Sequence, residues 1–266
     1  MKHFSKSPDV KPNPENMLRK FFRRVAPGLI IVAFSLTGCS DSPVETCALT
    51  GFSVDGQQYG INYDADGLPS ALVLNPAGGS AIFLLLTPKP DGGIARIDLP
   101  APLGPGYIEN SFDSRNNLIR SDKVINEVLQ TRRDFEWSDA GQLLEIRLYE
   151  ASAGQPVASG KVTFTYSGAR SVNPVSSADY DQNGALTVEA DYEYDRQKTP
   201  FGKSFGFLFN VFSGNNITRA TYRRFGADDI VLENSHTYNQ QGYPVQIILR
   251  ESAGPEKVQS FSYSCR

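Results

Sequence analysis

The chain has 266 residues, a formal net charge of −3, 40% hydrophobic and 11% aromatic residues, three cysteines and two histidines. Seven basic residues and two acids precede Cys39, leaving 19 basic and 27 acidic residues, a balance of −8. Such a chain can form one large β domain or two small ones. It lacks the clustered Lys and Arg that phosphate binding requires, so no nucleic acid is expected as a partner.

The first element predicted is a leader over residues 1–38. Arg19-Lys20-Phe21-Phe22-Arg23-Arg24 precedes the apolar run Gly28–Leu36, which is too short for the roughly 20 residues of a membrane span and fits a secretory signal. Residues 1–16 are polar and unlike a signal, so Met17 is the expected start; losing expression when Met17 is replaced checks this. Leu36-Thr37-Gly38-Cys39 resembles the lipobox of bacterial lipoproteins. That resemblance implies cleavage before Cys39 and acylation of its thiol and new amino terminus. Several acyl chains at about 0.8 kcal/mol per buried methylene make a durable anchor. Ser40 directly after the cysteine favours the outer membrane, facing the periplasm or the surface.

A tether over 39–46 follows, then a single β domain over 47–266. With Cys39 lipidated, Cys47 and Cys265 remain, one near each end of that domain. Outside the cytoplasm two remaining cysteines are expected to pair. The bridge would close a loop of about 218 residues, worth roughly 5 kcal/mol on the chain-entropy model. It also demands that the first and last strands lie side by side.

Along the domain one short unit recurs: an aromatic, a polar residue, two loop residues and a glycine. It stands at Tyr63–Gly67, Trp137–Gly141, Tyr180–Gly184 and Tyr238–Gly242, with Asn116 for glycine in Phe112–Asn116. The aromatic ends a strand, Asp, Asn or Ser caps the turn, and Gly or Asn takes the left-handed position. The flanks alternate as strands do. Leu144, Ile146 and Leu148 oppose Glu145 and Arg147. Leu186, Val188, Ala190, Tyr192 and Tyr194 oppose Thr187, Glu189, Asp191, Glu193 and Asp195. Val162, Phe164 and Tyr166 oppose Lys161, Thr163 and Thr165. The prediction is an all-β antiparallel meander of a dozen or more strands, forming a barrel or a strongly curled sheet.

Tyr192-Glu193-Tyr194-Asp195, Thr199-Pro200-Phe201, Asn215-Asn216-Ile217-Thr218 and the closing Phe261-Ser262-Tyr263-Ser264-Cys265 resemble an uncharacterised family of Bacteroidota lipoproteins. The turn units are also similar to the Tyr-Asp repeats of Rhs-type proteins. The lipoprotein resemblance implies a porin-like β-barrel fold and brings no catalytic residues with it. A barrel in lipid would need an apolar outward band on every strand. The row Glu189, Asp191, Glu193, Asp195 could face water or a lumen; the closing Cys265-Arg266 in place of a terminal aromatic strand signal, together with the anchor, favours a water-soluble domain on a tether.

Candidate chemistry is sparse. His236 is the one histidine after the leader and sits on a predicted strand, where packing explains it better than a catalytic triad. No metal site and no cofactor are expected, because zinc needs Cys and His and the acidic row reads as a solvated face. Asp64-Ala65-Asp66-Gly67 is a turn before it is a calcium loop. Tyr59, Tyr149 and Trp137 are expected in the core. The segment Phe201–Phe212 holds Phe201, Phe205, Phe207, Phe209 and Phe212, which either plug the interior or bind a ligand. The leading function is a non-enzymatic envelope lipoprotein, a binding or scaffold module with a protein or glycan partner. The alternatives are a carboxylate-based glycan hydrolase and a structural accessory of an outer-membrane complex.

Overall fold

Turn chemistry sets the architecture. In the computed structural model, which describes residues 47–54, 56–76, 79–201, 212–252 and 254–265, the five units form one turn repeated. At Tyr180–Gly184 the Asp181 carboxylate accepts the Asn183 and Ala185 N–H groups at 2.8 and 2.9 Å, and the Gly184 N–H reaches the Asp181 carbonyl at 3.0 Å. Asp64, Asp113 and Asn239 accept the same two backbone donors in their turns. Ser138, with a single oxygen, takes only the second. The fourth turn residue has positive φ each time, from 61° at Asn116 to 79° at Gly242. A β-bulge beside each turn sharpens the strand twist.

The strands are β1 (Cys47–Val54), β2 (Gln57–Tyr63), β3 (Pro69–Asn75), β4 (Ile82–Pro88), β5 (Ile94–Leu99), β6 (Gly106–Phe112), β7 (Leu118–Ile125) and β8 (Val128–Trp137). They continue as β9 (Leu143–Ser152), β10 (Gln155–Tyr166), β11 (Pro174–Asp181), β12 (Leu186–Lys198), β13 (Asn215–Arg224), β14 (Ile230–Tyr238), β15 (Pro244–Glu251) and β16 (Lys257–Cys265). Each pairs antiparallel with its sequence neighbours, and β1 pairs with β16, so the sheet closes into a barrel. The closing register puts Cys47 opposite Cys265. They form the expected disulfide, with Cα atoms 4.0 Å apart.

A meander with an even number of strands brings both ends of the barrel-forming chain to one rim, here the disulfide rim. An aromatic collar closes the inside of that rim. Tyr63, Trp137, Tyr166 and Tyr263, each at or near the end of an even-numbered strand, donate to carbonyls of the preceding strand: Leu49, Leu118, Leu143 and Pro244, at 2.6–3.1 Å. Each ring thus buries its body and satisfies its polar tip.

Alternation sends apolar side chains inward. Ile94, Leu143 and Ala220 are 0% exposed and Ile97 and Ile217 are 1% exposed. A round barrel of sixteen strands has room for an aqueous channel, but at these positions the inner wall is covered rather than wet. One apolar cluster spans β1–β6 and β12–β16, and a second spans β7–β10 with Phe212.

The outer wall is the reverse. Arg120–Asp134, Arg132–Asp122, Arg147 with Glu136 and Glu145, and Lys161–Glu145 pair across β7–β10 at 2.6–2.9 Å, and Arg223 pairs with Asp191. Exposed pairs add little stability, 0–1 kcal/mol each. Their placement matters more, since one Arg or Lys on a lipid face near the bilayer centre costs about 2–4 kcal/mol. The charged wall is suited to water. Exposed apolar side chains interrupt it, Phe83 and Leu85 on β4 and single residues such as Ile119, Leu144, Val157 and Val258 on other strands.

Three expectations need correction. Leu144 is exposed while Leu143 takes the buried place, because the bulge beside the Trp137 turn shifts the phase. Tyr149 is opposite Arg132 on the outer wall, not in the core, in step with Glu145 and Arg147. Asp195 leaves the acidic row, because the register slips between Tyr194 and Lys198, where four steps along β12 face two along β13. There its carboxylate accepts from the Asn216 and Gln197 N–H groups and from the Tyr238 hydroxyl.

Candidate functional site

The inner wall is mostly apolar, broken by Asn110 on β6, by Asn234 and His236 on β14, and by a polar seam at β11. The two apolar clusters meet at β11, whose inward residues are Ser177 and Asp179. Asp179 stands opposite Val162 on β10 and Val188 on β12, and Ser177 stands opposite Ala190. Partners in an antiparallel pair share a face, and Val162 and Ala190 are buried core residues. The carboxyl of Asp179 therefore faces the interior.

Tyrosines from the neighbouring strands converge there. On β12, Tyr192 and Tyr194 follow Ala190 on the inner face, and Tyr222 on β13 is opposite Ala190. The small Ala190 and Ala220 leave room for the three rings, which pack at centroid separations of 6.3 Å (Tyr192–Tyr194) and 6.4 Å (Tyr192–Tyr222). The Tyr192 hydroxyl is 2.8 Å from the Ser177 hydroxyl. The hydroxyls of Tyr194 and Tyr222 are buried and have no hydrogen-bond partner among the described residues. Burial pushes all three phenols well above their ordinary range, and the Asp179 charge adds to the rise at Tyr192 and Tyr222.

Asp179 is itself pushed up to about 6, by burial alone. Its carboxylate accepts no hydrogen bond and makes no ion pair among the described residues. Two inward cations are at hand but do not reach it. Arg224 is in the same row two strands away, opposite Val188, and its guanidinium donates to the Asp228 carbonyl at 3.0 and 3.3 Å. Arg133 on β8 is depressed by its own burial. Asp179 is two residues from the β11–β12 turn, at the rim opposite the disulfide.

The residues singled out from the sequence fall elsewhere. Phe201 packs within the larger cluster, 5.4 Å from Phe52 and 5.8 Å from Phe261, both edge-on. Phe212 packs in the smaller one, 6.1 Å from Phe135 and 6.5 Å from Phe164. Both are buried; Phe205, Phe207 and Phe209, like Cys39, are outside the described residues. His236 faces inward and stacks on Tyr238 at 5.8 Å, and burial lowers its pKa. The packing role expected for it is what the structure shows. Asp64 and Asp66 belong to a turn, and Asp191 is neutralised by Arg223.

Sequence reasoning missed Ser177, Asp179 and Tyr222. The signal for them was indirect: Tyr192 and Tyr194 already shared a face, but the run Val175–Asp181 has no apolar alternation to fix its phase. Only pairing with Val162 and Val188 reveals which way Asp179 points.

A closed antiparallel barrel of sixteen strands, built of hairpins, belongs to the porin-like class of folds. Two solved porin-like proteins share it, one from Bacteroides vulgatus at 11% identity and one from Bacteroides uniformis at 8%. Each matches with a TM-score of 0.55 over 81% of this chain and 98% of its own. At those identities the likeness establishes the barrel and nothing finer. No protein-family model matches the chain, and no curated protein matches it either.

Proposed function

We propose that this chain is a lipid-anchored envelope protein, a non-enzymatic binding or scaffold barrel held beside the outer membrane rather than spanning it. The observation that carries this is the inverted wall, with ion pairs outside and apolar side chains inside. The Leu36-Thr37-Gly38-Cys39 motif supplies the anchor. Seven residues lie between Cys39 and Cys47, eight chain steps with a reach of at most about 28 Å. The tether enters at the disulfide rim, so that rim faces the bilayer and the Asp179 rim points away, toward a protein or small-molecule partner.

A hydrolase reading is weaker, because a glycosidase needs two carboxylates about 5–9.5 Å apart and among the described residues no second carboxylate acts on Asp179. The test has two parts. Radiolabelled palmitate should label the full chain and not Cys39→Ser. A chain of residues 40–266, secreted through a cleaved signal, should be recovered in soluble form without detergent. Recovery of that shortened chain in membranes would refute the water-facing wall.

A further inference from the structure

We infer that the seam of Asp179, Ser177, Tyr192 and Tyr222 is a binding site for a small organic ammonium group, entered from the rim opposite the disulfide. The inference deepens the binding-module reading above and is independent of the anchor. Three observations converge on it.

Asp179 is an inward carboxylate between apolar neighbours, with neither a hydrogen bond nor a cation to compensate its charge among the described residues. A buried charge without a partner is costly, and a positively charged ligand is the occupant that offsets that cost. A neutral polyol or an anion would leave it standing. Next, Tyr222 is 4% exposed and its hydroxyl is unpaired. An –NH3+ group has three donors, and the Tyr222 and Ser177 oxygens beside Asp179 offer acceptors for them. Finally, Tyr192 and Tyr222 stand near enough for the Asp179 charge to act on both, and aromatic rings attract cations. Carboxylate, hydroxyl oxygens and neighbouring aromatic rings together describe an ammonium site.

The charged and titratable groups around Asp179 are few. β10 presents Val162, β12 presents Val188 and Tyr192, and β13 presents Tyr222 and Arg224, whose guanidinium is turned to the Asp228 carbonyl. Binding should therefore follow the ionisation of Asp179 alone, weakening about tenfold between pH 7.5 and pH 5.

A free amine and a lysine side chain share this chemistry, and two probes separate them. The full chain in mild detergent is titrated calorimetrically with n-butylammonium, with N-acetyl-lysine amide, and with 1-butanol as the neutral control. Binding of either cation but not of butanol is expected, with Asp179→Asn weakening it at least tenfold and Tyr222→Phe several-fold. Unfolding midpoints of the free variants, no lower than that of the parent, exclude misfolding as the cause. No heat with either cation, an unchanged Kd in Asp179→Asn, or equal binding of butanol would overturn the assignment. Those results leave the anchor untouched, just as failure of palmitate labelling would leave the ammonium site untouched.

Discussion

Replacing Asp179 by Asn should make the free protein more stable, by an amount that depends on pH. Folding raises this carboxyl from 3.8 to about 6 through burial, so the native state prefers it protonated. A raised acid pKa means that stability is fullest below the unfolded value and falls as pH climbs through the folded one. The whole displacement corresponds to about 3 kcal/mol. Asp179 is not fully buried, so this is an upper limit. Asn keeps the shape and removes the charge. Urea unfolding of parent and variant, disulfide intact, should show a gain of up to about 3 kcal/mol at pH 8, roughly half of that at pH 5, and almost none near pH 3.5. A difference that does not change with pH, or a variant less stable at pH 8 than at pH 3.5, would refute the picture of an uncompensated inner charge.

Other outcomes test the frame. At Gly106→Ala the new Cβ would be 2.0 Å from the Val124 carbonyl oxygen and 2.9 Å from the Ile125 Cα, so the variant should lose about 3 kcal/mol or fail to fold, read by thermal unfolding. Asn116→Gly relaxes a φ of 61° yet removes side-chain bonds to the Asp91 and Gly92 carbonyls and to the Lys89 ammonium. The losses win, and about 1 kcal/mol of destabilisation is expected in denaturant titration. Reducing Cys47–Cys265 should lower the unfolding midpoint by the equivalent of at most about 5 kcal/mol, and Cys47→Ala should reproduce the shift without reductant.

Five turns were legible in the sequence because their chemistry is local: an Asx or Ser oxygen and a residue of positive φ, three positions apart. A sixth was not. Lys89-Pro90-Asp91-Gly92 makes the same backbone turn, with the Lys89 N–H on the Gly93 carbonyl at 3.0 Å and Gly92 at φ 84°. Lysine has no acceptor to offer, so the pattern vanishes from the chain; Asn116 in the next turn braces the loop differently, donating its amide to the Asp91 and Gly92 carbonyls. Strand faces were legible wherever apolar residues alternate, as in β12. They failed at bulges, which moved Leu144 and Asp195 off their predicted faces. Tyr149 is different, since its parity with Glu145 and Arg147 already placed it outside. The seam lay beyond sequence because a lone Asp in a polar strand acquires its meaning only from the partners that register assigns.

The closure between β1 and β16 has a consequence for how the molecule is made. Every other pairing joins sequence neighbours, so hairpins can zip up as they emerge. The first strand alone must wait for the last, keeping an unpaired edge and a solitary thiol until some two hundred residues have followed. During that interval the newborn protein is an open ribbon prone to stick to its own kind. A cell that makes it needs an oxidant acting late, and a chain stopped short of β16 would never lose its adhesive border.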